Sequence, residues 1–113
     1  MAAKAKVSYK VHGYYEDMEV KGYPINLPVP GAFAVRFEKS IPEWVVDDLG
    51  SGFAVARTSS GTREDVIKLA REVAMRRGPS GFSEARSRAA KIRIGENRPA
   101  LANEVEIQEP LPR

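Results

Sequence analysis

The chain has 113 residues, 42% of them hydrophobic and 29% charged, and it contains no cysteine. Those figures describe one ordinary globular domain with enough chain to bury a core. The missing cysteines exclude disulfides, thiolate catalysis and cysteine-ligated zinc. No stretch approaches the roughly 20 apolar residues that cross a bilayer, and MAAKAKVSYKV lacks the apolar run of a secretory signal. The expectation is a soluble, cytoplasmic protein without a membrane partner.

The net charge of +3 is unevenly placed. Residues 1–61 carry seven basic and seven acidic side chains, residues 62–98 ten and five, and residues 99–113 one and three. The positive excess therefore lies in one part of the chain, followed by an acidic tail. Such asymmetry marks contact with an anionic partner, unless it is simply a solvated helix surface.

In chain order, KVSYKV (6–11) alternates Val7, Tyr9 and Val11 with polar residues, the period of a half-buried strand. YYEDMEV (14–20) predicts a second strand. GYPINLPVPG (22–31) holds Pro24, Pro28 and Pro30, which are unsuited to a central strand, so a stiff connector crossing an edge is expected. AFAVRFE (32–38), EWVVDDL (43–49) and GFAVART (52–58) then read as three strands. The links at Ser40-Ile41-Pro42 and Gly50-Ser51-Gly52 are short, and short links make an antiparallel meander.

Thr62 with Asp65 three residues on predicts a capped helix start, and Val66, Leu69, Ala70 and Val73 recur at helical spacing. Glu64 and Asp65 fill the first turn, where their charge would repel a phosphate. TSSGT therefore reads as a cap, and neither GxxxxGK[ST] nor GxGxxG occurs. Gly78-Pro79 predicts the helix end, and Phe82, Ala85, Ala89 and Ile92 predict a second helix over about 82–94. NEVEIQE (103–109) alternates again, as a last strand or a tail along a sheet edge.

The fold class predicted is α+β. An antiparallel sheet of four to five strands, with its meander over about 32–58, is packed by a pair of helices at about 62–77 and 82–94. Residues 1–98 form the domain; residues 99–113 form the acidic, proline-containing tail.

Catalytic arrangements are sparse. His12 is the only histidine, too little for a zinc site beside scattered carboxylates, and it reads as a surface strand residue. Asp47 and Asp48 are adjacent in a strand, so they face opposite sides and cannot share a substrate. No GxSxG elbow occurs. No enzyme activity, metal or cofactor is expected.

The suggestive feature is basic: Arg71, Arg76, Arg77, Arg86, Arg88, Lys91 and Arg93. Guanidinium groups pair with carboxylates and phosphates alike. Tyr14, Tyr15 and Tyr23 are further interface candidates, since tyrosine is enriched in interfaces. The function expected is a non-catalytic adaptor or inhibitor whose basic helical region meets an acidic protein surface. The alternative is DNA or RNA contacted through phosphates by the same arginines; a homodimer is also compatible. A meander followed by a helix also resembles, in layout alone, domains that lay a sheet in the DNA major groove. Here the candidates Arg36 and Arg57 stand among Glu38, Glu43, Asp47 and Asp48, which argues against it.

Overall fold

A computed structural model describes residues 5–59 and 61–103. Five strands, β1 (Val7–Val11), β2 (Met18–Ile25), β3 (Phe33–Glu38), β4 (Glu43–Asp48) and β5 (Phe53–Thr58), precede one helical element, α1 (Arg63–Gly95). The strands form one antiparallel sheet in chain order. The α+β meander is as the sequence predicts.

The sheet curls. In a flat sheet β1 and β4 would lie about 14 Å apart, three strand spacings. Yet the Tyr9 hydroxyl of β1 donates a 2.7 Å hydrogen bond to Asp47 Oδ2 of β4. The bend lies in β2, whose residues Met18–Gly22 pair with β1 while Tyr23–Ile25 pair with β3. Gly22 permits it: a Cβ there would stand 2.8 Å from the Val35 carbonyl oxygen and 2.9 Å from the Tyr9 hydroxyl.

Two apolar clusters result. Under α1 lie Leu27, Val29, Phe33, Val35, Val46, Ala56, Val66, Ala70, Val73, Ala74 and Phe82. On the other face, beneath β1, lie Tyr9, Val11, Ala32, Ala34 and Leu49. Here Arg36 and Asp47 are buried as well, with Arg36 Nε donating to Asp47 Oδ2 at 2.6 Å. Arg36 also pairs with Glu38. Burial and the Asp47 carboxylate together push the Tyr9 hydroxyl pKa upwards, so it stays a donor.

Three expectations need correction. Pro24 is not in a connector but in β2, opposite Ala34. It is tolerated because β2 has only one partner strand there, β3, leaving the ring's missing N–H without consequence. The connector proper is shorter, and it delivers Leu27 and Val29, each at most 2% exposed, to the core. Leu69 is 38% exposed; the helix stripe is Val66, Ala70, Val73 and Ala74.

The third concerns the helices. The pair expected at 62–77 and 82–94 is one helical element of 33 residues, leaving helical geometry only at Gly78 (φ 68°, ψ 178°). The loop between them is absent because Pro79, with φ fixed and no N–H to lose, suits a first helical position. Gly78 alone absorbs the change of direction. Of the expected last strand (103–109), only Asn103 falls within the described residues. Its side chain accepts from Lys10 N (2.8 Å) and donates to Lys10 O (3.0 Å) and Leu49 O (2.9 Å). The side chain thus takes the place of a neighbouring strand on β1.

The predicted cap is present as a reciprocal box: Thr62 Oγ1 accepts from Asp65 N (3.3 Å), and Asp65 Oδ2 accepts from Thr62 N (2.7 Å). Replacing Thr62 by Ala removes one of these bonds and is expected to cost about 0.5–2 kcal/mol in urea denaturation. Gly78→Ala places a side chain in a backbone region reserved for glycine, at an expected cost of about 1–3 kcal/mol. Beyond the adjoining residues and the helix's own backbone, no described atom lies within 4 Å of the added methyl, so the loss reports local backbone strain rather than a tertiary clash.

Candidate functional site

The seven basic candidates in α1 divide by environment. Arg93 is buried (3% exposed), and its Nη1 and Nη2 hold Asp17 in a fork at 2.7 and 2.6 Å. Its Nε and Nη2 also donate to the Pro99 carbonyl, at 3.0 and 2.7 Å. Arg86 is half-buried and clamps Asp48 (3.1 and 3.2 Å) while donating to Pro30 O (3.1 Å). These two are structural ties, not free recognition groups. Arg71, Arg76, Arg77, Arg88 and Lys91 are exposed. None of the five pairs with a described residue.

Nor do the five form one face. Arg71 and Arg76 lie about 140° apart around the helix at 100° per residue. Arg77 continues the buried Ala70/Val73/Ala74 row one turn beyond the core. Past the Gly78 joint, Arg88 comes to the same side, and both line a groove of about 240 Å³ between β5 and the second limb of α1. Its apolar lining includes Phe53, Val55, Phe82, Ala85 and Ile92. Asp48 and Ser51 also line it, but the Asp48 carboxylate is already engaged by Arg86.

The histidine is a further correction. Expected on the surface, the His12 side chain is only 9% exposed, with its ring 4.7 Å from Phe53. Its Nδ1 lies 3.2 Å from Arg93 Nη1 and 3.5 Å from Arg98 Nη1. Guanidinium nitrogens only donate, so Nδ1 accepts and the proton sits on Nε2, 3.4 Å from Glu96 Oε1. Among the described residues no group of three histidine or carboxylate side chains is placed to hold a metal ion.

Tyr14 and Tyr15 are almost fully exposed and pack edge to face, 4.7 Å between ring centres. Tyr23 is half-buried with Lys6 and Arg63 over its ring at 5.4 and 5.5 Å, and it lines a separate groove with Ile25, Val35 and Ile67. The three tyrosines do not join the arginine groove. Asp47 and Asp48 do face opposite sides, one towards Tyr9 and Arg36, the other towards Arg86. Arg36 is buried and Arg57 pairs with Glu43 at 2.7 Å, so neither offers a free contact for a DNA groove.

Comparison with protein-family models, characterised proteins and solved structures returns no significant match. Among the described residues no helix is long and apolar enough to cross a membrane.

The Arg93–Asp17 fork contributes to acid sensitivity. The hydrogen bonds from Arg93, and then from Arg98, lower the Asp17 pKa from 3.8 to about 2. The folded chain therefore binds this proton less readily than the unfolded chain. The resulting stabilisation is complete above the ordinary value of 3.8 and is lost as the pH falls towards about 2. Denaturation midpoints should fall over that interval in the wild type, and Asp17→Asn should flatten this limb. An unchanged limb would show that the fork contributes nothing to acid sensitivity.

Proposed function

We propose that this chain is a non-catalytic protein-binding module, an adaptor or inhibitor, that meets an acidic partner surface through the groove side of α1. One observation carries the reading: Arg77 and Arg88, exposed and unpaired among the described residues, flank an apolar groove. Burying apolar surface supplies affinity, while guanidinium groups at the rim select carboxylates and steer encounter. A nucleic acid asks for something else, namely cations tracking a phosphate backbone on one face. The other exposed candidates, Arg71, Arg76 and Lys91, do not line that groove, and the sheet's arginines are already engaged by carboxylates.

The test is charge reversal combined with nuclease. Arg77→Glu/Arg88→Glu is expected to abolish capture of a specific protein from lysate, while Arg71→Glu, equally exposed, leaves it intact. Nuclease treatment should not change the outcome. Fluorescence anisotropy with a random-sequence duplex should show only weak binding at physiological salt. Nuclease-sensitive capture, with a salt slope that shrinks by about one per lost arginine, would assign the site to nucleic acid instead.

A further inference from the structure

We infer that the groove is a strand-addition site, and that its ligand is an extended segment of a partner protein in which apolar and acidic residues alternate. This rests on the protein-binding reading above and specifies how the same site is used.

The first support is the position of β5. It stands last in the strand order, so no described strand pairs with its outer edge. An unpaired edge presents backbone donors and acceptors ready for another chain. The second is the lining itself. Phe53, Ala54 and Val55 all border the groove, although successive strand residues point to opposite faces. Three in a row reflect a local break in that alternation, so the groove runs along the strand. Val55 is the extra residue of a bulge, since Asp47 pairs with Ala54 and Val46 with Ala56. Bulges re-aim side chains where a ladder is open to a ligand.

The facing wall decides the ligand's chemistry. Phe82, Ala85, Ala89 and Ile92 give an apolar surface with two short side chains in its middle, a recess for the inward residues of an added strand. A volume of about 240 Å³ falls below the roughly 300–1,000 Å³ of small-molecule pockets. It suits side chains of a segment whose backbone lies outside. Arg77 and Arg88, without partners among the described residues, select carboxylates at the flanking positions. Asp48 does not compete for them, because Arg86 holds it.

The probe is an acetylated and amidated decapeptide of alternating valine and glutamate, titrated into the full chain and followed by amide NMR. Shifts should concentrate at residues 53–57 and along 77–92, and β5 amides should exchange more slowly with solvent. Ala85→Gln fills the recess without changing charge, and should weaken the peptide by about tenfold or more with spectral dispersion retained. A peptide with serine in place of valine should bind as weakly, and one with lysine in place of glutamate not at all. If Ala85→Gln and the serine peptide match the wild-type complex, charge alone is responsible and strand addition is wrong. The protein-binding reading survives that result provided that Arg77→Glu/Arg88→Glu still abolishes partner capture; should this variant leave capture unchanged, both fall. Two further outcomes overturn the external ligand. Tighter peptide binding by Ile107→Ser would show that the chain's own acidic segment 104–109 fills the groove. Peptide binding that competes with self-association in sedimentation would show that a second copy does.

Discussion

Two consecutive carboxylates in β4 organise this molecule. Asp47 and Asp48 are both buried, and a buried carboxylate is tolerable only when it is paired and hydrogen-bonded. Strand geometry sends them to opposite faces, so each must find its own cation on its own side. Asp47 takes Arg36 and the Tyr9 hydroxyl, which draws β1 over the sheet. Asp48 takes Arg86, which draws the second limb of α1 down against the end of β4. The curl of the sheet and the seat of the helix thus answer one electrostatic requirement. Removing Arg36 or Arg86 would leave an uncompensated charge where water cannot reach it freely.

The same requirement sorts the arginines. Arg36 and Arg86, which satisfy buried carboxylates, and Arg93, itself buried against Asp17, are consumed by the fold. Arg71, Arg76, Arg77, Arg88 and Lys91 are left without a partner among the described residues. Of these, Arg77 and Arg88 stand together beside the apolar groove between β5 and the second limb of α1. Charge in sequence overstated the basic site, because it counted structural cations and free ones alike.

Local signals were the legible ones. Alternation in AFAVRFE and GFAVART, the short links and the Thr62/Asp65 box depend on residues a few positions apart, and the meander and helix start follow from them. Pairings at long separation were hidden. Arg93 and Asp17 are 76 positions apart, and nothing near either residue announces the other. His12 therefore looked like a surface residue although two arginines enclose it. Pro24 misled for a related reason, since whether a strand tolerates proline depends on which neighbour is present, not on the proline. Leu69 and Ala74 exchanged roles because hydrophobicity ranks leucine first, whereas close helix–sheet packing favours the smaller side chain. The groove had a partial signal: β5 is the last strand of the meander, and Ala85 and Ile92 lie on the flank of the second limb.

The Gly78 joint sets the angle of one wall of the groove. Pro79 has no N–H to tie it to the preceding turn, so the two limbs of α1 meet without a continuous hydrogen-bond ladder across them. Arg77 rides on the first limb, whereas Phe82, Ala85 and Arg88 ride on the second. The backbone geometry at that one residue therefore sets the spacing of the two guanidinium groups and the width of the recess together. The Arg86–Asp48 clamp and the Arg93–Asp17 fork hold the second limb at that angle.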